Sequence, residues 1–595
     1  MKKSFYLLVS IFVFVTATVS LANVMPFNIT VDDSGENGII CYRLNEACSA
    51  VAVNIYGPLP DTTVRVTLPG TTNFGLNTVI WDRTGTGVET GNTFGISVVA
   101  TDSVGHSAWT KISNDSTSTF TFSYARGGCR VNKNQGSPYF GLIYNSCCYY
   151  SPSAAFGIVP IYPDGSDPFG VATTGLRGNI PWSRVGTSVS PWHTFIGTDD
   201  KVWIADYSVT NSGIWRAESG DLSGTWTPIF DTTNRDASTG FSTGLYGNII
   251  SLLVEGTGTT TVLYTIDQDL PSGYANNGTD PQLSSVWKYD VGEGPFPCST
   301  PPTVWINDSS FTATPGLAGY GVLVDAGNGA TASPIGSQTL AKDSLGRWWV
   351  SNYQYTGTNL PTIVVFSPDR QTIVWDSRQI GTGGGTDPLF ADCAGFVIDE
   401  KRNRVITAPY YVYNAANSGF TVFPFDPLPI GNLNSVATTI PITSCTPRQL
   451  DIDAAGNLYL HDTQHSKLYI YSPPDGPNSF TTKGSATIQN GVAFNVIPSG
   501  PITVSKGKTQ TFSVEGGIAP FTWALSTTGV GSLDTTEGNS VIFTGDNGGT
   551  VDLTVTDSLS PTPVTLTVNI TVNPTSAPIY KETAPRKYIR FELFE

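Results

Sequence analysis

A degenerate repeat that runs from about residue 127 to about residue 490 constrains the fold of this chain more than any other feature. Each copy supplies an apolar strand, a tight turn rich in Asp, Gly and Asn, a second apolar strand, a polar turn and a third strand. Clear copies start at Phe195, Leu340, Phe396 and Leu450, and weaker ones at Gly141 and Val262. Since one such antiparallel sheet cannot bury both of its faces, radial stacking of the sheets around a channel is the expected arrangement. The repeat therefore predicts a β-propeller.

The repeat resembles the NHL-type and related six-bladed propellers. The resemblance lies in segments such as LDIDAAGNLYLHD at residues 450–462 and LAKDSLGRWWVSN at residues 340–352. At roughly 40–60 residues per blade, the length of the repeat region allows six or seven blades, and we predict six. A string of separate β-sandwiches is the alternative interpretation.

Composition indicates the same fold class. Charged residues make up only 13% of the chain, whereas Gly and Pro number 62 and 40. Such a composition is typical of short strands joined by many turns. Almost no segment shows the 3.6-residue apolar period of an amphipathic helix. We therefore predict an all-β fold with a central propeller at residues 127–492 and a second region on each side of it.

Both flanking regions resemble immunoglobulin-like (Ig-like) modules. The runs GLNTVIWD at 75–82 and GNTFGISVVATDSVG at 91–105 resemble the Ig-like module of flagellar hook-capping proteins. The runs GGIAPFTW at 516–523 and VDLTVTDS at 551–558 resemble the bacterial Ig-like domains of surface proteins and adhesins. These resemblances imply β-sandwiches at residues 23–126 and 493–574, without implying a flagellar role. Residues 575–595 are predicted to be a linker and tail.

The first 22 residues have the pattern of a secretory signal peptide. Lys2 and Lys3 precede an apolar stretch at residues 5–19, and small residues lead to a cleavage site after Ala22. An uncleaved membrane anchor is the alternative. No later segment reaches the roughly 20 apolar residues that a membrane-spanning helix needs. We expect a secreted or cell-surface protein with no integral membrane segment after signal cleavage.

Charge and cysteine content restrict the partners further. The formal net charge of −16 argues against nucleic acid and against docking on an anionic membrane. All eight cysteines follow the signal peptide, and an even number in an oxidising compartment favours disulfides. The pairs considered are Cys41 with Cys48, and Cys129 with Cys147 or Cys148. Zinc is the alternative, although the chain contains no CxxC pair.

Each candidate for catalysis or metal binding has a structural interpretation in the repeat. His461 and His465 flank Asp462, but they fall at a strand end and turn, where an aspartate recurs between blades. The acidic pairs suggest the two carboxylates of a glycoside hydrolase, yet most of them occupy repeated turn positions; they are Asp199–Asp200, Asp451–Asp453 and Asp267–Asp269. Residues 219–226 partly resemble the Asp box of sialidase propellers. We predict no catalytic residue, no metal site and no cofactor, and assign no binding residue.

Three functions are compatible with this sequence. The favoured one is a non-catalytic extracellular binding or scaffold protein, because propeller faces present many loops around one axis to a surface protein or a glycan. The second is a secreted carbohydrate-active hydrolase or lyase that uses the channel. The third is a self-assembling surface-layer or filament subunit, which the Thr-, Gly- and Asn-rich composition and the apolar tail suggest.

Overall fold

A computed structural model shows a chain built almost entirely of β-strands. It describes residues 23–33, 37–83, 92–122, 127–147, 157–172, 175–178, 180, 182, 191–206, 213–231, 246, 249–267, 286–306, 337–352, 362–380, 393–409, 419–443, 445–487, 494–515, 520–557 and 563–574. Within these residues the α-helical structure is a single turn, Leu433–Val436, and short 3₁₀ turns join some strands. The all-β prediction is confirmed. The predicted signal peptide and the C-terminal tail lie outside the described residues.

The N-terminal region forms a β-sandwich whose two sheets face each other across a shared core. The core contains buried side chains of both sheets, among them Tyr42, Val53, Trp81 and Phe94. Alternation of buried and exposed residues along the strands gives each sheet one inward face. The six strands that precede the propeller are β1 (Pro26–Asp32), β2 (Gly38–Leu44), β3 (Ala50–Pro58), β4 (Val64–Pro69), β5 (Gly75–Trp81) and β6 (Thr93–Asp102).

The repeat region forms six antiparallel sheets among the described residues, and five of them follow the order of their strands in the chain, whereas the sixth ends on an earlier strand. A short strand, β7 (Thr110–Lys111), precedes them. The first three blades are β8 (Cys129–Val131), β9 (Ile143–Cys147) and β10 (Gly157–Ile161); β11 (Thr194–Ile196), β12 (Val202–Asp206), β13 (Gly213–Ala217) and β14 (Thr227–Phe230); and β15 (Ile249–Glu255), β16 (Val262–Asp267), β17 (Val286–Asp290) and β18 (Thr303–Ile306). The next three are β19 (Ser337–Lys342), β20 (Trp348–Asn352), β21 (Ile363–Phe366) and β22 (Ile373–Asp376); β23 (Cys393–Asp399), β24 (Arg404–Pro409), β25 (Gly419–Pro424) and β26 (Thr438–Pro441); and β27 (Pro447–Ile452), β28 (Leu458–Asp462) and β29 (Lys467–Ser472).

The six sheets close into a ring. The first strand of each blade contacts the first strand of the next, from β8 through β11, β15, β19 and β23 to β27, and β27 in turn contacts β8. Strand β7 pairs with β29, so the start of the propeller segment completes its last blade. Six innermost strands around one axis define a six-bladed β-propeller, which confirms the prediction of a propeller.

The recurring aspartate of the repeat holds the turn between the first two strands of a blade. In the sixth blade, Asp453 accepts hydrogen bonds from the backbone N–H of Asn457 at 2.9 Å and from the Tyr459 hydroxyl at 3.0 Å. In the fourth blade, Asp343 accepts the backbone N–H of Arg347 at 2.8 Å and the indole N–H of Trp349 at 2.8 Å. One carboxylate thus ties the turn to an aromatic side chain on the second strand.

After the propeller the chain returns to the N-terminal sandwich. Strand β30 (Asn478–Thr487) pairs antiparallel with β6 along its entire length, in a sheet ordered β30-β6-β3-β4 opposite the sheet β1-β2-β5. The propeller is therefore inserted between two neighbouring strands of one sandwich. The sequence boundary at residue 492 grouped this strand with the propeller.

The sandwich and the propeller share a core. Phe140 of the first blade stacks on Phe480 of β30 with ring centroids 6.2 Å apart, and Phe27 of β1 stacks on Tyr162 at 5.2 Å. Arg43 of β2 forms an ion pair of 2.5 Å with Asp164, whose side chain is almost fully buried. These contacts join the two regions through both apolar packing and charge.

The C-terminal region is a second sandwich with its own core. Its sheets have the orders β31-β33-β36-β35 and β32-β38-β37-β34, and the pair β32–β38 is parallel. Phe512, Trp523 and Phe543 lie at the centre of a cluster built from residues 494–572. The strands are β31 (Asn495–Ile497), β32 (Ile502–Ser505), β33 (Thr509–Glu515), β34 (Thr522–Leu525), β35 (Gly531–Leu533), β36 (Ser540–Gly545), β37 (Gly549–Thr556) and β38 (Thr565–Asn573).

Two of the predicted disulfides are absent from the described residues: no S–S bond joins Cys41 to Cys48 or Cys129 to Cys147. Cys41 lies on the outer face of β2, whereas Cys48 packs against the sandwich core, so the two side chains are on opposite sides of the sheet. Cys129 pairs in register with Asn145, which makes Cys147 its diagonal neighbour. Diagonal neighbours are roughly 7–8 Å apart between Cα atoms, beyond the usual span of a disulfide. Cys148 lies outside the described residues.

Candidate binding site in the propeller channel

The channel is filled at one level by a ring that we call the channel plug. Each blade contributes one residue, namely Gly128, His193, Ser251, Thr339, Gly395 and Gln449. The four side chains of this ring are buried. His193 Nδ1 lies 3.1 Å from Ser251 Oγ, and Gln449 Nε2 donates to Thr339 Oγ1 at 3.2 Å.

Glycine is required at two plug positions because the strand that carries Gln449 passes close to both neighbouring blades. A Cβ added at Gly395 would approach the Arg448 carbonyl oxygen to 2.6 Å and the Gln449 Cα to 3.0 Å, and a Cβ at Gly128 would overlap the Gln449 Cβ. Gln449 thus passes Gly395 of the fifth blade to reach Thr339 of the fourth. The plug thus combines two glycines with four buried polar side chains at one level of the blades.

Beside the plug, toward the turns between the first and second strands, lies a cavity of about 230 Å³ that we call the channel pocket. Five blades contribute to its walls. The lining residues are Arg130, Val131, Lys133, Asn134, Phe195, Ile196, Leu253, Leu340, Ala341, Lys342 and Asp451. Apolar side chains from the second, third and fourth blades thus face charged side chains from the first, fourth and sixth. The pocket is the principal candidate for a ligand site in the described part of the channel.

Several lining residues occupy one position of the repeat. Arg130, Phe195, Leu253, Ala341 and Asp451 pair in register with Tyr144, Trp203, Tyr264, Trp349 and Tyr459 on the second strands. This position thus has the same place in every one of these blades but carries a different side chain in each. A binding pocket needs such a mixture of apolar and polar side chains around one cavity. Sequence reasoning named only Asp451 among them, as half of a candidate acidic pair, and did not identify the other four as candidate site residues. An alignment of the repeats on their second-strand aromatic residues is the signal that would have identified them.

Asp451 is the carboxylate among the described lining residues, and both of its oxygens already accept hydrogen bonds from the protein. It accepts the backbone N–H of Val131 at 2.8 Å and that of Ile452 at 2.9 Å, and it forms an ion pair of 2.7 Å with Lys133. The Arg130 guanidinium is farther away, at 3.8 Å. Because these bonds connect β27 to the first blade, Asp451 has a structural role where the ring of blades closes.

The two acidic pairs that lie wholly within the described residues do not form paired carboxylates in the channel. Asp453 belongs to the turn beyond Asp451, and burial raises its pKa to about 6. Asp200 accepts from the side chains of Asn132 and Asn134 at 2.9 and 2.8 Å, while Asp199 pairs with Lys201. Asp269 lies outside the described residues.

The Asp-box-like segment also serves a turn. Asp221 accepts the backbone N–H of Ser223 at 2.9 Å, and Trp226 donates its indole N–H to the Leu222 carbonyl at 3.1 Å. Trp226 is buried against Trp182, with ring centroids 5.3 Å apart. The resemblance therefore reflects a local turn with a packed tryptophan.

The histidines around Asp462 point in different directions. His461 is buried and bonds through Nε2 to Asn145 Oδ1 at 2.8 Å, whereas the half-exposed His465 pairs with Asp462. Asp462 also accepts the backbone N–H groups of Thr446 and Gln464 at 2.9 and 3.0 Å. Asp462 is thus used as a turn-capping acceptor, and its two flanking histidines face separate environments.

Buried histidines make the fold sensitive to acid. Burial lowers the pKa of both His193 and His461 to about 3 from an ordinary value of 6.5. Below pH 6.5 the histidine binds a proton in the unfolded state but not in the folded state. The free energy of unfolding is therefore unaffected above pH 6.5 and decreases as the pH falls toward 3. At pH 5 the loss is about 2 kcal/mol per histidine.

The variant His461→Gln tests this effect, because glutamine can keep a polar contact with Asn145 and does not titrate. We expect the free energy of unfolding of the wild type to fall by about 2 kcal/mol more than that of the variant between pH 7 and pH 5. Urea titrations of both proteins at the two pH values measure the difference. Equal acid losses would show that His461 is not held neutral by burial.

No protein-family model and no curated protein matches the sequence. Three of the solved structures that resemble it are a streptogramin B lyase, a carbohydrate-active enzyme of family AA12 from Trichoderma reesei, and a virginiamycin B lyase from Staphylococcus aureus. The streptogramin B lyase is 8% identical with a TM-score of 0.27, and covers 59% of this chain and 95% of its own. The AA12 enzyme is 12% identical with a TM-score of 0.27 and coverages of 62% and 98%. The virginiamycin B lyase is 10% identical with a TM-score of 0.26 and coverages of 63% and 98%. At these scores the similarities assign neither family nor activity to this chain.

Two further findings concern the described residues alone. They contain no group of three or more His, Cys, Asp or Glu side chains that could hold a metal ion. Over the same parts of the chain, no helix is long and apolar enough to cross a membrane.

Proposed function

We propose that this chain is a secreted or cell-surface binding protein without catalytic activity, in which the propeller recognises a ligand through its channel pocket. The observation that carries the proposal is that the oxygens of Asp451 are already bound by other groups of the protein. This carboxylate is bound by two backbone N–H groups and a lysine, while the other described lining residues have cationic, amide or apolar side chains. Hydrolysis of glycosides ordinarily needs two carboxyl groups that flank the scissile bond.

If Asp451 has a structural role, its substitution should lower the stability of the protein, which a purely catalytic role does not require. Asp451→Asn is expected to destabilise the protein by about 1–3 kcal/mol, because the amide nitrogen cannot accept the hydrogen bonds of the carboxylate and Lys133 loses its ion-pair partner. Thermal unfolding measures the change. Asp199→Asn, in a half-exposed pair with Lys201, is the matched control and should have an effect below about 1 kcal/mol.

The functional test compares the wild-type mature protein with Arg130→Gln in capture of ligands from the native cell surface and on a glycan array. We expect the wild type to retain a glycan or surface protein that the variant does not. Turnover of glycoside or lyase substrates that Asp451→Asn abolishes without unfolding the protein would overturn the proposal in favour of the enzyme.

We infer export from the signal-peptide pattern of the sequence. Asn23, the first residue after the predicted cleavage site, is buried between the sandwich and the propeller and donates from Nδ2 to the Pro473 carbonyl at 3.1 Å. N-terminal sequencing of protein recovered outside the cell is expected to start at Asn23. A first residue at Met1 in exported protein would contradict this inference.

Self-assembly is the second candidate function, and one surface favours it. The outer face of β2 and β5 exposes Ile39, Leu76 and Ile80, of which Ile80 is 68% exposed, and Ile39 pairs directly with Ile80. Sedimentation of the wild type, of Ile80→Lys and of a chain without residues 581–595 tests assembly. Polymers that both changes abolish would support the subunit role, and a monomer at all concentrations would exclude it.

A further inference from the structure

The charge of the channel pocket is opposite to that of the whole chain. The chain carries a formal net charge of −16, yet the described lining contains three cations and one carboxylate. Lys133 is balanced by Asp451 and Lys342 by Glu255, each at 2.7 Å. The Arg130 guanidinium has its nearest described carboxylate oxygen at 3.8 Å, on an aspartate that is already occupied.

Arg130 is also held in place for recognition. Its Nε donates to the Thr194 carbonyl at 3.1 Å, which connects the first blade to the second and fixes the direction of the guanidinium. The side chain is only 19% exposed. A guanidinium that is partly removed from water attracts an oxyanion more strongly than an exposed one does, because the local dielectric is lower. Arg130 is therefore the cation of the pocket best placed to bind an anionic group.

The opposite wall of the pocket is apolar. Phe195, Leu253 and Leu340 come from the second, third and fourth blades, and Leu340 is almost fully buried. A free inorganic anion would leave this wall in contact with water, whereas an organic anion would cover it. A cavity of about 230 Å³ has room for a single ring or a short chain.

From this combination we propose that the channel pocket binds a small organic carboxylate, with its charge at Arg130 and its apolar face against Phe195, Leu253 and Leu340. The inference rests on the proposed binding function and names the class of its ligand. A bidentate hydrogen bond from a guanidinium is the geometry that suits a carboxylate. The ligand is a free acid or the acidic unit of a larger molecule, and both present the same group.

The test uses the full mature protein and isothermal titration calorimetry with benzoate as the probe. Benzamide is the neutral isostere, sulfate is the anion without an apolar part, and sodium glucuronate represents the acidic unit of a polymer. Arg130→Gln and Lys342→Gln are the pocket variants. Lys288→Gln is the matched control, because Lys288 also pairs with an acid, Asp290 at 2.8 Å, and also lies over a tryptophan, but does not line the pocket.

We expect saturable binding of benzoate that Arg130→Gln weakens about tenfold or more, that Lys342→Gln weakens by a smaller factor, and that Lys288→Gln leaves unchanged. Benzamide and sulfate should bind at least about tenfold more weakly than benzoate. Binding by glucuronate with the same dependence on Arg130 would identify an acidic sugar as the source of the carboxylate, and its absence would identify a free acid with an apolar body.

The opposite results overturn the inference in distinguishable ways. If benzamide bound as tightly as benzoate and a Leu253→Lys variant bound neither, the pocket would still be the binding site. The requirement for a carboxylate on the ligand would then be wrong. Equal weakening by Lys288→Gln would show that the anion binds without a defined site. No binding of any probe, combined with Arg130-independent capture of a cell-surface ligand, would place recognition elsewhere on the protein. Conversion of a substrate would overturn the binding function itself.

Discussion

A chain truncated after Pro477 is expected to lose the fold of its N-terminal sandwich, whereas a chain truncated after Thr487 is expected to keep it. The two proteins differ only in the ten residues of β30. Without β30, strand β6 keeps β3 but loses its other partner along its full length, and Phe480 leaves the core that joins the sandwich to the propeller. The combined loss should exceed the roughly 5–15 kcal/mol by which a typical domain is stable.

Differential scanning calorimetry and the soluble yield of the two proteins measure this effect. Truncation after Thr487 removes only the C-terminal sandwich and the tail, and the core of that sandwich consists of residues from 494 onward. We expect it to abolish one unfolding transition and to leave the remaining protein soluble. If the chain that ends at Pro477 unfolded at the same temperature as the longer one, β30 would not be an integral strand of the sandwich.

Substitution of Gly128 by alanine is expected to be strongly destabilising, with a loss of about 2–5 kcal/mol. Gly128 has a φ of +80°, a conformation that costs an L-residue about 1–2 kcal/mol. The new methyl group would also overlap the Gln449 side chain where the channel plug is packed, which adds a cost of about 1–3 kcal/mol or more. Thermal unfolding of the purified variant measures the sum.

The turn that follows in the same blade provides a matched control. Gly136 has a φ of +89° and nothing within 4 Å of an added Cβ, so Gly136→Ala has the backbone cost without the overlap. We expect it to cost only about 1–2 kcal/mol. Adding Gln449→Gly to Gly128→Ala should restore part of the loss, because it removes the overlapping atom. Equal losses for the two alanine variants would show that the plug can move to accept a larger side chain.

The sequence predicted the elements that depend on local pattern. Alternating apolar residues and Asp-Gly turns determine strands and hairpins by neighbouring interactions, so the blades and the all-β class were recognised from residues such as those at 340–352 and 450–462. The turn role of Asp453 and Asp462 is local for the same reason. Each flanking region forms two packed sheets, and strands such as β2 and β37 repeat the two-residue period of buried side chains.

The pairings Cys41–Cys48 and Cys129–Cys147 were predicted wrongly because sequence spacing does not report which face of a sheet a side chain occupies. Cys41 and Cys48 are close in sequence but lie on opposite sides of β2, and Cys129 is offset from Cys147 by the register of β8 with β9. The candidate site was missed for a related reason. Arg130, Phe195 and Asp451 are far apart in the chain. They meet only because each lies at the same position on the first strand of its blade, next to the axis of the propeller.

The sequence by itself determined the local structure of this protein, namely its strands and turns, and the stacking of its repeats into a propeller. What only the tertiary structure decided is where distant segments meet. Strand β30 joins β6, although 375 residues separate Asp102 from Asn478 and no local pattern distinguishes an edge strand of the sandwich from a strand of a blade. The same holds for the plug and the pocket, because closure of the ring brings six strands to one axis, and only long-range packing determines which side chains fill it.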